Sequence, residues 1–190
     1  MKTILGAVCK AHLVSDFYCG YNDYAGPQQR CWVHLLRDLR ELGKEQAENQ
    51  EVRGWLDAVA ELYHEAVGWL KGREPPPAER AEKYDELKQR AHKLGLQHAQ
   101  SKRHPCQALA KRLLRHEEEL FQFVLVPGLA AHNNLAERAI RPLVVIRKVS
   151  GGSRSAKGSA TKMALASMLH TWQAQGKDPY QECQRMLGKS

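Results

Sequence analysis

The chain has 190 residues, which fits one domain or one domain with an insertion, and 43% of them are hydrophobic, enough for a real core. Its net charge of +8 and pI of about 9.3 favour a polyanionic partner, with nucleic acid as the first candidate. No apolar run approaches the roughly 18 residues that cross a bilayer, which excludes a membrane-spanning class. The apolar stretch 4–8 is too short for a signal core of roughly 7–15 residues, and five scattered cysteines suit a reducing compartment, so we expect a cytoplasmic protein.

The first predicted element is a strand. Residues 4–14 are rich in Ile, Leu and Val and end just before Asp16, although a short apolar run is also compatible with a buried helix. After a turn at Gly26-Pro27, a second strand is predicted over Arg30–Val33. A helix should complete the segment 28–43. One face of that helix carries Leu35, Leu36, Leu39 and Leu42.

The middle of the chain, residues 44–126, is predicted to be wholly helical. A stripe at helical spacing begins at Trp55, the run Pro75-Pro76-Pro77 interrupts the pattern, and Glu79–Leu94 resumes it. A further long helix is predicted near the end of this segment. Packing is the expected role of these apolar stripes. Their members are Trp55, Val59, Leu62, Ala66 and Trp69, and later Leu109, Leu113, Leu114, Leu120 and Phe121.

The last part of the chain begins with a loop at Pro127-Gly128. Asn134 is predicted as the N-cap of a helix that Pro142 should kink or end. A flexible basic loop is expected over residues 150–159, with glycines, hydroxyls and two cations that can meet a phosphate backbone. A helix with Leu165, Met168, Leu169 and Trp172 and a short final helix near Leu187 should follow.

Two acidic residues are candidates for metal chemistry, and each also has a plain structural explanation. Asp16 follows a predicted strand, and ligands collect at the carboxyl ends of strands in α/β sheets, but an Asp there also caps turns. Glu137 falls three residues after Asn134, which is a capping-box spacing, yet a glutamate in a first turn can also point at a metal ion.

Several cations follow Glu137 and are candidates for contacts with DNA phosphates, or for a solvated helix face. Cys31 and His34 have the spacing C-x-x-H, but zinc would need two further ligands with matching spacing, so packing is the simpler explanation. The candidate phosphate-binding residues are Arg138, Arg141, Arg147, Lys148, Arg154 and Lys157.

These signals occur in an order that resembles the DDE transposases of the bacterial insertion-sequence family conventionally numbered 66. The resemblance lies in the blocks Leu13–Tyr18, Gln29–Leu39, Asn133–Pro142, Arg147–Gly152 and Ser167–Trp172, which together span most of the chain. The block around Glu137 is the most specific of them. The helical middle contributes little.

The resemblance implies an α/β fold of the RNase H-like type, present here in part, with a large helical insertion that makes this chain predominantly helical. Residues 1–43 would be a partial core with the second catalytic acid, Asp16. Residues 44–126 would be the insertion, and residues 127–190 would supply the core helices with the third acid, Glu137. The Cys31-x-x-His34 pair resembles a motif that such enzymes carry beside their last strand.

The implied function is DNA cleavage and joining by two-metal phosphoryl transfer during insertion-sequence transposition. Two Mg²⁺ ions would bind a scissile phosphate, and insertion-sequence ends and target DNA would be the partners, with a homo-oligomer as a further expectation. Family members carry a first catalytic Asp upstream, whereas residues 1–15 contain neither Asp nor Glu. We therefore expect an incomplete site, with Asp16 and Glu137 alone, and no activity of this chain by itself. A non-catalytic DNA-binding remnant and a helical interaction protein are the alternatives.

Overall fold

The computed structural model describes residues 11–188, so most of the predicted first strand lies outside the described residues. Within them, strand β1 is Leu13–Ser15 and strand β2 is Gln28–Arg30. The two strands pair in parallel, with Val14 opposite Gln29. The prediction that the second strand covers Arg30–Val33 was wrong by two to three residues, because Trp32 and Val33 already belong to the following helix.

Six helices fill the middle of the chain, and no strand occurs between residues 44 and 126, which confirms the helical prediction for that segment. The last three of them replace the single long helix that we expected, because the chain leaves helical geometry at His116 and again at Phe121. The helices are α1 Trp32–Glu45, α2 Gln50–Leu70, α3 Pro77–Ala99, α4 Gln107–Arg115, α5 Glu117–Leu120 and α6 Gln122–Leu125.

Local chemistry explains where these helices start. The Asn49 side chain caps α2 by accepting a hydrogen bond from the amide of Val52 at 3.2 Å. Pro77 begins α3, where its missing N–H would have had no helical partner. Asn49 and the proline run therefore determine where α2 and α3 begin.

One hydrophobic core joins all six helices. The predicted leucine face of α1 contributes the buried Leu35 and Leu39, with Leu36 and Leu42 packed against them. Trp32, at the start of α1, is fully buried, and its ring lies 5.3 Å from that of Phe121. The stripe predicted for α2 is confirmed, since Trp55, Val59, Leu62 and Ala66 are buried and Trp69 packs against them.

Helices α3 and α4 pack closely together at Gly95. A side chain at that position would meet the Leu114 side chain at 2.6 Å and the carbonyl of Ala110 at 3.2 Å. Real Cβ atoms do not come so close to another carbon, so only glycine lets the two helices pack at this distance. The glycine therefore follows from packing, although it weakens the helix intrinsically.

The chain divides into two compact units, residues 1–133 and residues 134–190. Among the described residues of the second unit, the three helices α7 Asn134–Val149, α8 Ala156–Ala174 and α9 Pro179–Met186 contain no buried residue. Large apolar side chains such as Leu135 and Val149, each 84% exposed, face solvent there. This unit therefore lacks a core of its own.

Three details of the second unit differ from the predictions. Helix α7 begins at Asn134, so that residue is helical and does not precede the helix as a cap. Pro142 lies inside α7, which continues to Val149. The basic loop ends at Ser155, whose hydroxyl accepts the amide of Gly158 and caps α8. A serine cap favours the start of a helix, so α8 begins earlier than we predicted. The residue spacing in the sequence did not reveal this cap.

No helix within residues 11–188 combines the length and the apolar character that a membrane span requires.

Substitution of two leucines on α3 tests the packing of the core. Leu87 is fully buried, whereas Leu96 is 56% exposed. We expect Leu87→Ala to lower the free energy of unfolding by about 2–5 kcal/mol, since it removes buried methyl groups and leaves a cavity. The matched control Leu96→Ala should change it by less than about 0.5 kcal/mol. Urea unfolding followed by circular dichroism measures both, and equal effects would contradict the described packing of α3.

Candidate functional site

Asp16 lies directly after β1, at the carboxyl end of the parallel strand pair. Its side chain is half-buried, and Oδ1 accepts a hydrogen bond from the amide of Tyr18 at 3.0 Å. The expected turn-capping contact therefore exists. A carboxylate has lone pairs for about four contacts, so this single bond leaves capacity for a cation.

A buried arginine holds the backbone at Asp16. The Arg30 side chain is 1% exposed, and its Nη1 donates to the carbonyl of Asp16 at 2.9 Å. Its Nη2 donates to Oδ1 of Asn22 at 2.9 Å, and its Nε pairs with the carboxylate of Glu119. These contacts fix the end of β1, the following loop and the helical segment around one guanidinium.

Glu119 is the countercharge that makes burial of Arg30 tolerable. Burial by itself would raise the pKa of Glu119, but hydrogen bonds from His116 and Arg30 outweigh it and hold that pKa below its usual value. The ring Nδ1 of His116 lies 3.0 Å from the Glu119 carboxylate. Glu119 is therefore ionised at neutral pH and compensates the guanidinium charge.

Glu137 lies in the first turn of α7, on the same helix face as two of the predicted phosphate-binding residues. Arg141 follows it by four residues and Lys148 by eleven, which is close to three whole turns. Glu137 is half-buried and the two cations are exposed. A continuous α7 thus aligns one carboxylate with positive charges, although Pro142 was expected to interrupt it.

The other predicted phosphate-binding residues are all exposed as well. Arg138 and Arg147 lie on α7 at other angles, Arg154 lies in the loop before α8, and Lys157 lies in the first turn of α8 and not in the loop. Exposure leaves each of them accessible to a polyanion. The structure describes no nucleic acid, so their role in DNA binding stays a prediction.

Cys31 and His34 lie at the beginning of α1. Cys31 is fully buried, and its sulfur accepts the amide of Asn133 at 3.4 Å, while the amide of Trp32 donates to the carbonyl of Ala131 at 3.0 Å. Among residues 11–188, no group of three metal ligands includes Cys31 or His34. In the described part of the chain, Cys31 therefore fastens the segment before α7 to the start of α1.

Sequence reasoning did not single out two features of the first unit. Arg30 was predicted only as the first residue of a strand. A charged residue inside a buried strand indicates, in addition, that an opposite charge lies nearby. The second feature is a cluster of Glu51, His98 and His104, whose possible metal-ligating atoms are all within 4.8 Å of one another. The spacing of these residues in the sequence matches no metal-binding motif that would have predicted the cluster.

A family model described as "Transposase IS66 family" matches residues 1–161, most of the chain. The protein is thus of the transposase class. It belongs to the IS66 transposase family.

One curated relative is similar over much of this chain. It is the "Uncharacterized protein y4jO" of Sinorhizobium fredii (strain NBRC 101917 / NGR234), 28% identical over 149 residues. The aligned part covers 77% of this chain and 43% of the relative, so the chain spans less than half of that protein's length. No solved structure matches the chain.

Because Arg30 is buried and Arg73 is exposed, replacing Arg30 should lower the free energy of unfolding more than replacing Arg73. Arg30→Met should lower the free energy of unfolding by about 3–5 kcal/mol, because it leaves Glu119 without its countercharge. Arg73 pairs with Glu79 at 3.1 Å, but both side chains are about half exposed, so Arg73→Met should cost no more than about 1 kcal/mol. Chemical denaturation of both variants measures the contrast. Similar losses for the two would show that the buried pair does not hold the fold.

Proposed function

We propose that this chain forms part of the catalytic domain of a DNA transposase that cleaves and joins DNA strands by two-metal phosphoryl transfer. The observation that carries the proposal is a half-buried Asp16 at the carboxyl end of a parallel strand pair, in a chain of the IS66 transposase family. Asp16 and Glu137 are its catalytic carboxylates. Insertion-sequence ends and target DNA are its substrates.

An RNase H-like core is the fold that fits this role. Parallel strands need neighbours and covering helices, and a two-stranded pair alone buries too little to be stable. The exposed apolar side chains of α7 and α8 need a cover in turn. A larger sheet that contains β1 and β2 meets the first need, and an apolar partner surface for α7 and α8 meets the second. In this division, residues 1–43 and 127–190 belong to the core and residues 44–126 form the insertion.

The convergence of Asp16 and Glu137 on one site is part of this proposal, and it rests on the family resemblance. Within the first unit, the carbonyl of Ser15 accepts the amide of Cys31 at 2.7 Å, and the Cys31 sulfur accepts the amide of Asn133. These contacts place the segment that ends at Asn133 next to the strand that precedes Asp16.

The donors fit magnesium, because both matched residues offer hard carboxylate oxygens and Asp16 keeps lone pairs for a cation. When bound, Mg²⁺ would activate the attacking oxygen and stabilise the leaving oxygen of a phosphodiester. Asp16 and Glu137 would hold it. Arg30 would keep the Asp16 backbone in place through its hydrogen bond to that carbonyl.

The exposed cations of α7 would bind and orient the DNA. Arg141 lies one turn from Glu137 on the same helix face, so a phosphate held by Arg141 would lie beside that carboxylate. Lys148 lies about three turns from Glu137 on that face, where it would hold a more distant phosphate. Such contacts give affinity and register but no base recognition. The sequence specificity of the intact enzyme must then come from other contacts.

A DNA-binding protein without turnover is the second candidate. The observation that favours it is the set of exposed cations on α7 and the following loop, which can contact phosphates without any metal ion. Nicking of supercoiled plasmid in Mg²⁺ or Mn²⁺ separates the two candidates. Metal-dependent nicking that Glu137→Ala abolishes would favour the enzyme, and binding without nicking would favour the second candidate for this chain.

Shared metal binding can be tested with a double-mutant cycle. Asp16→Asn and Glu137→Gln should each lower the affinity for Mn²⁺, measured by titration. The double variant should lose little more affinity than either single variant, because both residues bind the same ions. Asp23→Asn is the control, as an exposed carboxylate on the same loop. Measurements in a Glu51→Gln background keep the histidine cluster out of the signal. Fully additive losses would place the two carboxylates in separate sites.

Salt-dependent DNA binding tests the cation face. Because each phosphate contact contributes about 0.9 to the slope of log K against log salt, Arg141→Ala with Lys148→Ala should reduce that slope by nearly 2. Arg185→Ala is the matched control, an exposed arginine of α9 that pairs with Glu182 at 2.7 Å. Gel-shift titrations at several salt concentrations give the slopes. An unchanged slope in the double variant, or no salt-sensitive binding at all, would contradict this interface.

A further inference from the structure

Two histidines and one glutamate meet where α2 begins and α3 ends. Glu51 lies in the first turn of α2, His98 lies in the last turn of α3, and His104 lies in the connection to α4. One ligand atom from each lies within 4.8 Å of the other two. The His104 Nε2 is 3.6 Å from the Glu51 carboxylate. Three segments of the insertion therefore bring oxygen and nitrogen donors to one point.

The connection between α3 and α4 places the His104 ring against the His98 ring. Their rings stack in parallel with centroids 4.0 Å apart. Arg103, directly before His104, has a φ of 68°, the one positive φ of a non-glycine residue within residues 11–188. Left-handed backbone at such a residue costs free energy, and it persists where surrounding contacts require it. Here those contacts include hydrogen bonds from Ser101 to His98 and from His104 to Ser101.

We propose that Glu51, His98 and His104 form a binding site for a divalent transition-metal ion, with zinc as the best match. Two imidazoles and one carboxylate are a ligand set that zinc uses, with a fourth position left for water. At Zn–N distances of about 2.0–2.1 Å, tetrahedral ligand atoms lie about 3.4 Å apart, so donor atoms that are now within 4.8 Å of one another would approach each other by up to about 1.4 Å on binding. The ion would tie the start of α2 to the end of α3.

Binding has one identifiable cost in this cluster. The Nδ1 of His104 accepts the amide of Cys106 at 3.2 Å, and a metal at Nε2 places the ring proton on Nδ1. The Cys106 amide must then give up this contact. It is a long hydrogen bond, and the Cys106 side chain beside it is buried.

Zinc titration of the 190-residue chain against a chromophoric chelator tests the site. We expect one zinc ion to bind and to raise the melting temperature. Glu51→Gln and His104→Gln should each weaken binding by about 10–100-fold or more, since loss of a direct ligand should cost at least as much as loss of an outer partner. His92→Gln is the matched control, because His92 also pairs with a glutamate, Glu117, at 2.7 Å.

Two further measurements keep the outcome decisive. The cobalt-substituted protein should show no thiolate-to-metal charge-transfer band, which would instead reveal a cysteine site. Asp16→Asn should leave zinc affinity unchanged, so that failure of the transposase proposal and failure of this one are read separately. Absence of zinc binding, a thiolate band, or equal weakening by His92→Gln and His104→Gln would overturn the assignment.

Discussion

The first unit of this protein depends on the burial of three consecutive polar side chains in β2. Gln28, Gln29 and Arg30 are at most 8% exposed, and a buried polar group without a partner is costly. The partners of Arg30 and Gln29 come from opposite directions. Arg30 bonds to the carbonyl of Asp16, whereas the Gln29 amide donates to the carbonyl of Leu120 at 3.0 Å and accepts the amide of Phe123 at 2.9 Å. The strand therefore joins the Asp16 loop to the helical insertion.

This linkage gives the insertion a role beyond packing. Glu119, at the end of the long helical middle, neutralises the arginine that holds Asp16, and Trp32 donates its indole N–H to Leu120 at 2.6 Å. A substitution near residue 120 would disturb a carboxylate that lies more than 100 positions earlier. The zinc site proposed at His98 and His104 would stiffen the same helical unit at its other connection.

The two units differ in how they are stabilised, and that difference bears on function. The first has a continuous core and buried polar ties, whereas the described helices of the second bury no residue. Helices without a core of their own need an apolar partner surface to be stable. The second unit also carries Glu137 and the exposed cations, so the surface that covers its apolar side chains would also position the proposed active-site residues.

The sequence by itself determined the helical middle, the leucine face of α1, the stripe of α2 and the family, because helical periodicity and ordered motif blocks are local properties of a chain. It misplaced β2 and ended the basic loop too late, and Pro142, predicted to kink or end its helix, does not end it, since boundaries depend on caps and on packing. Only the tertiary structure decided that Arg30 is buried against Glu119 and that His98 meets His104 and Glu51. Those partners are far apart in sequence or joined by a strained turn, and no spacing rule encodes which distant groups will compensate a buried charge.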